Sequence, residues 1–181
     1  MPATAFLRKY QEGSGFADCY VVQIDRVITQ AGFVTAFYTT GLFKIERRLL
    51  HWLVNKPATD DDAQRLADGS AATFSAWQVE AQDPDQLLLA DFTGRTRSWL
   101  MAVPSAQGRG SAAATTSRNT PGTTSGTTSL TTSLYFGSAV LPLRSRTGEA
   151  ADLGWSFHAL LGFHKLYSRL LLAAACRRLR A

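Results

Sequence analysis

The stretch GSAATFSAWQVEAQDPDQLLLADFTGRTRSWLMAV, Gly69–Val103, decides the fold. Phe74 to Ala81 alternates, with Trp77 and Val79 on one face, and reads as a strand. Asp83, Pro84 and Asp85 form a turn signal. Leu87 to Phe92 and Arg95 to Val103 then make a hairpin around Thr93 and Gly94, which sets Ala90 opposite Arg97 and Leu88 opposite Trp99. Arg95, Arg97 and Trp99 consequently share a face. An antiparallel sheet is expected at the middle of the chain.

Upstream, Asp18 to Asp25 (DCYVVQID) reads as a further strand, and residues 1–17 before it as an N-terminal tail. A helix capped by Thr29 runs to about Thr39 and carries Phe33, Phe37 and Tyr38. After Gly41, the residues Leu42, Ile45, Leu49, Trp52 and Leu53 recur at helical spacing and give a second, amphipathic helix. Pro57 ends it. Thr59 with Asp62 three residues on has the form of a capping box for a short third helix closed by Gly69. The run Asp60, Asp61, Asp62 could suggest a metal, but carboxylates in a first helical turn are favoured by the helix dipole alone. No metal and no cofactor is expected.

Downstream, residues 105–133 break from their surroundings: fifteen of 29 are Ser or Thr and four are Gly. Such a segment cannot bury enough apolar surface to offset an ordering entropy of ~1 to 2 kcal/mol per residue, so a disordered loop inserted in one domain is expected. Ser133 to Leu143 is another strand, with Gly137 read as a bulge. From about Phe157 to Leu179 the pattern is a long helix with Leu160, Phe163, Leu166, Tyr167, Leu170, Leu171 and Ala174 on its broad apolar side.

The chain is 181 residues long with nineteen Lys and Arg, fourteen Asp and Glu and 45% hydrophobic residues, enough for one domain at 18–181 with its own core. Residues 1 to 152 hold fourteen basic and all fourteen acidic side chains, so the whole charge of +5 comes from Lys165, Arg169, Arg177, Arg178 and Arg180 on the last helix. Five cations spread along one helix supply neither a stacking nor a groove-reading module, and no nucleic-acid partner is expected. Weak contact with an anionic membrane through those five residues is the more plausible use of the charge. Each cation contributes ~1 kcal/mol at such a surface, about 5 together. Burying four or five large apolar side chains of the same helix contributes roughly 6 to 15 kcal/mol, which keeps the apolar side on the sheet. Arg8 and Lys9 stand where a signal peptide needs its apolar core, and Cys19 and Cys176 have no CxxC or zinc spacing. A cytoplasmic protein with reduced, packed thiols is expected.

The Gly69–Val103 stretch and GFHKLYSRLLLAAACRRL, Gly162–Leu179, share a pattern of Gly, a Phe-x-x-x-Val strand, an acidic turn, a Leu-rich strand and a terminal His-x-x-Tyr helix. On these residues the chain resembles a bacterial family of unknown function grouped with the START-like (SRPBCC) helix-grip superfamily of lipid carriers, polyketide cyclases and birch-pollen-allergen relatives. The resemblance covers most of residues 18 to 180, and the Ser/Thr insertion is its main departure. It implies an α+β helix-grip fold, in which an antiparallel sheet wraps a long C-terminal helix and a short helix pair follows the first strand. It also implies an apolar cavity between sheet and helix holding a hydrophobic small molecule or lipid. Candidate lining residues are Phe33, Phe37, Trp77, Trp99, Phe136, Phe163, Tyr167 and Leu170. Large aromatics at these spacings also fill a closed core.

An enzyme of polyketide-cyclase or aromatase type is the first alternative. It needs polar groups converging inside the cavity, and the candidates are Asp91, Arg95, Arg97, His158, His164 and Tyr167. Asp91 and Arg97 should point to opposite sheet faces, and no phosphate loop, GxSxG or HExxH is present. Binding without turnover is the preferred reading. A peripheral membrane or adaptor protein using the basic helix is the third.

Overall fold

The computed structural model describes residues 1–11, 15–54, 57–107, 129–141 and 155–181. After an N-terminal 3-10 turn (Phe6–Tyr10), the elements are β1 (Phe16–Ile24), α1 (Gln30–Tyr38), α2 (Gly41–Val54), α3 (Asp60–Ala67), β2 (Thr73–Phe74), β3 (Trp77–Asp83), β4 (Gln86–Asp91), β5 (Thr96–Gln107), β6 (Ser129–Val140) and α4 (Trp155–Arg180). The six strands form one antiparallel sheet in the order β1-β6-β5-β4-β3-β2. This α+β architecture covers one face of the sheet with helices and the other with the N-terminal turn.

Local chemistry explains the helix boundaries. Thr29 Oγ1 accepts from the Gly32 amide at 3.1 Å and starts α1. Thr59 and Asp62 form the reciprocal capping box of α3, with the Asp62 amide 3.1 Å from Thr59 Oγ1 and the Thr59 amide 2.8 Å from Asp62 Oδ2. Gly69, at φ 81°, ends that helix in a conformation that costs glycine little. The central hairpin pairs Ala90 with Arg97 and Leu88 with Trp99.

Several expectations change. The strand read at 74–81 is broken by a tight turn in which Ser75 takes φ 53°, so Phe74 folds back to pair with Trp77. Within the stretch read as an N-terminal tail, Leu7 is fully buried on the sheet, and β1 already begins at Phe16. The Ser/Thr segment is strand at both ends, because Ser105 pairs with Thr131 and Gln107 with Ser129 in a β5–β6 ladder that alternating Ser and Thr can satisfy. The disordered reading of the remainder falls on residues 108–128, outside the described residues. Gly137 is no bulge, since it pairs in register with both Cys19 and Trp99. A Cβ there would lie 2.5 Å from Leu7 Cδ2 and 2.8 Å from the Asp18 carbonyl oxygen, so glycine is required by close approach.

Candidate functional site

Alternation along the strands assigns every side chain to one of two faces. On the helix-covered face, Phe136, Leu100, Leu87 and Leu89 meet Phe33, Phe37, Tyr38 and Phe43 from α1 and α2 and Leu171, Leu172 and Ala175 from α4. Between these elements lies a cavity of about 250 Å³. Its apolar wall includes Phe37, Phe43, Trp77, Phe136 and Leu171, and its polar wall includes Glu46, Ser98, Ser138, His164, Tyr167 and Ser168.

Four polar contacts organise that wall. Tyr167 Oη donates to Glu46 Oε2, which ties α4 to α2. Burial pushes the Glu46 carboxyl above the ordinary carboxylate range, and the bond from Tyr167 offsets part of that. Burial, with the Glu46 charge beside it, raises the Tyr167 phenol as well. At the other end, Ser138 Oγ lies 2.6 Å from His164 Nε2 and donates to Asp18 Oδ1 at 2.6 Å. A hydroxyl has one proton to give, so with Ser138 donating to Asp18, His164 Nε2 must carry the hydrogen toward Ser138. The serine therefore sits between the carboxylate and the imidazole, the reverse of an arrangement in which histidine deprotonates a serine nucleophile. Tyr20 Oη also donates to Asp18, at 2.9 Å, and burial with the Asp18 contact pushes its phenol up to about 12.

Two buried polar atoms on the cavity wall have no hydrogen-bond partner among the described residues: Trp77 Nε1 and Ser168 Oγ. Tyr38 and Ser98 satisfy each other at 3.0 Å. An indole N–H can only donate, and a buried donor left unpaired costs about 1 to 3 kcal/mol.

Of the expected lining residues, Phe37, Trp77, Phe136 and Tyr167 border the cavity. Phe33 is fully buried in the neighbouring core. Trp99 lies on the opposite sheet face, packed with Leu7, Leu88 and Met101, because it alternates with Ser98 and Leu100. Leu170 points outward and is 45% exposed. The side chain of Phe163 lies outside the described residues, as does that of His158.

Among the proposed chemical groups, His164 and Tyr167 reach the cavity. Asp91 borders it, but Oδ1 accepts from the Arg95 and Thr96 amides at 2.8 and 2.9 Å and so holds the hairpin turn. Arg97 also borders the cavity, but it sends its guanidinium to the other face, where Nε lies 2.5 Å from Glu80 Oε2. Arg95 is exposed. Glu46, Ser138 and Ser168 were not among the expected residues; a polar side chain amid the apolar residues of α2, β6 and α4, respectively, was their only sequence signal.

No helix among the described residues is long and apolar enough to cross a membrane, and they contain no cluster of three or more potential metal ligands. A comparison with protein-family models, curated proteins and solved structures finds no match.

Proposed function

We propose that this is a helix-grip protein whose cavity binds a hydrophobic small molecule without turning it over. Support for the fold comes from the strand order, in which β2 to β6 run as neighbours and β1 closes against β6, with α4 packed on that sheet. Support for the ligand comes from one observation above all: Trp77 Nε1 and Ser168 Oγ, without partners among the described residues, border a cavity whose exposed surface is mostly apolar. An apolar cavity of about 150 Å³ accepts benzene, so about 250 Å³ suits a molecule of one or two rings, here with an acceptor oxygen for the two donors. A long acyl chain fits this volume poorly. The cytoplasm is the proposed compartment, in keeping with the free thiols of Cys19 and Cys176.

Native mass spectrometry of the chain purified from its own host, followed by extraction, should release a small ring compound. Added 1-indanone, a two-ring ketone, should raise the melting temperature, and Trp77→Phe or Ser168→Ala should weaken its binding about five- to tenfold. No copurifying molecule, together with no response to the ketone, would overturn the reading.

A second reading, an enzyme of polyketide-cyclase or aromatase type, is favoured by Glu46 and His164 both bordering the cavity. A carboxyl raised by burial keeps its proton to higher pH than an ordinary one, which suits it to donate that proton as a general acid. On that reading, Glu46→Gln abolishes turnover of an extracted compound while its binding persists; absence of any turnover by the wild type removes it.

A further inference from the structure

We infer that the outward faces of α2 and α4 together dock on an anionic membrane surface, with Trp52 as the side chain that enters the interface. The proposal is independent of what the cavity holds.

On α2, Phe43 and Arg47 are buried and fix the inward direction. Ile45 and Trp52 are seven residues apart, about 20° around the helix, and lie on the far side. They are 64% and 88% exposed. On α4, Ser168, Leu171, Leu172 and Ala175 face inward, while Leu166 and Leu170, one turn apart, are 58% and 45% exposed. The bond between Tyr167 and Glu46 sets the helices side by side. Phe43 and Glu46 of α2 and Tyr167, Ser168 and Leu171 of α4 line one cavity, so the two helices turn their inward faces to the same side and the two exposed apolar stripes to the opposite one. Isolated exposed apolar side chains are ordinary, but four large ones on the outward faces of two neighbouring helices are the kind of surface that serves an interaction.

The charges around the patch select the occupant. Arg48 on α2 and Lys165, Arg169, Arg177, Arg178 and Arg180 on α4 are exposed. The single acid of α2, Glu46, is engaged by Tyr167, and α4 contains none. Lys44 and Arg47 are already paired with Asp60. Lys165 and Arg169 lie over the rings of Phe16 and Tyr20 at 5.1 and 5.3 Å, which holds their cations along the β1 flank. A second copy docking through the same surface would bring these cations against their equivalents, with the Glu46 carboxyl already engaged by Tyr167 and Asp60 by Lys44 and Arg47. An acidic peptide would use the cations and leave Trp52 without a role. A bilayer carrying anionic lipid satisfies both, because indole and aliphatic side chains settle at the headgroup level while Arg and Lys meet the negative surface. The same two helices wall the cavity, through Phe43 and Glu46 on one side and Tyr167, Ser168 and Leu171 on the other. Docking therefore sets the cavity beside the lipid headgroups.

The test is co-sedimentation of the full chain with vesicles of phosphatidylcholine alone and of phosphatidylcholine mixed with phosphatidylserine, at low and high salt. Binding to the mixed vesicles that falls with salt is expected. Trp52→Ala should lower it about tenfold or more, and Arg48→Gln or Arg177→Gln about fivefold each, with melting temperatures unchanged because all three side chains are exposed. Absence of binding to mixed vesicles, or binding indifferent to Trp52→Ala and to both arginine substitutions, overturns the proposal. So does a dimer in solution that Trp52→Ala converts to monomer without any lipid binding, which would give the patch to a second copy.

Discussion

The two faces of the sheet are built from the same strands and solve opposite problems. Under the N-terminal turn, packing is tight enough that Gly137 has no room for a methyl group, and Gln86 gathers the polar atoms: its Oε1 accepts from Trp99 Nε1 and the Phe6 amide, both at 3.0 Å, while its Nε2 donates to the Thr4 carbonyl. Under the helices, a cavity of about 250 Å³ remains, and an indole N–H and a serine hydroxyl on its wall have no partner among the described residues. Trp99 is satisfied, and Trp77 finds no partner among the described residues. The difference teaches where to look for function: a face that is filled and hydrogen-bonded throughout holds the sheet together, whereas incomplete satisfaction on the other face is room for something else.

The largest effect should come from the filled face. Leu7→Ala removes a fully buried side chain beside Trp99 and should cost about 3 kcal/mol in denaturant unfolding. Gly137→Ala should cost about 2 kcal/mol through overpacking. Combining the two should cost less than their sum, since the first removes the Leu7 clash while the Asp18 carbonyl contact remains. Strict additivity would show that Gly137 is not there for Leu7.

Next come two partly buried carboxyls, Glu80 and Glu46, which should give pH dependences of opposite sign. Burial pushes Glu80 up, but hydrogen bonds from Lys9 and Tyr10 and the charge and hydrogen bond of Arg97 outweigh it and leave the carboxyl lowered. A lowered native value binds fewer protons than the unfolded chain, so Glu80 contributes stability above the unfolded carboxylate value, lost as pH falls through the folded one. Glu46 is raised, chiefly by burial. Its contribution is complete in acid and is lost as pH rises from the ordinary carboxylate range through its folded value. Glu80→Gln should therefore flatten the acid limb of a stability-against-pH curve and Glu46→Gln the limb toward neutrality. Like slopes for both would break the contrast.

The smallest effect should fall on the cavity face, with reversed sign. In ligand-free protein, Trp77→Phe and Ser168→Ala each remove an unpartnered polar atom and should leave stability unchanged or raise it by about 1 kcal/mol in the same unfolding measurement. A clear loss would mean these atoms have partners after all.

What could be read in the sequence was whatever rests on neighbours in the chain. Thr29 and Thr59 announce their helices because a cap bonds to an amide three residues away. The β4–β5 register follows from a short connection. Features made by distant residues were not legible. The five residues of the N-terminal turn are too few to show a period, and the partners of Leu7 are Gly137 and Trp99. Alternation put Arg97 and Trp99 on one face but carried no information on which cover that face would receive, so Trp99 was expected in the cavity and belongs beneath the turn. The cavity's polar wall joins Glu46 to Tyr167 and Ser138 to both Asp18 and His164, pairs that no local pattern connects.

The insertion of β6 between β1 and β5 has a consequence in time. Phe16 pairs with Val140, so the first strand made during synthesis has its neighbour among the last. Until β6 emerges, β1 has no ladder, and Leu7 lacks the Gly137 hollow that receives it. The strands from β2 to β5 can meanwhile assemble as local hairpins. The sheet should thus close in a single late event of long sequence separation, giving refolding slower than a helical domain of equal size and in the range of milliseconds to seconds.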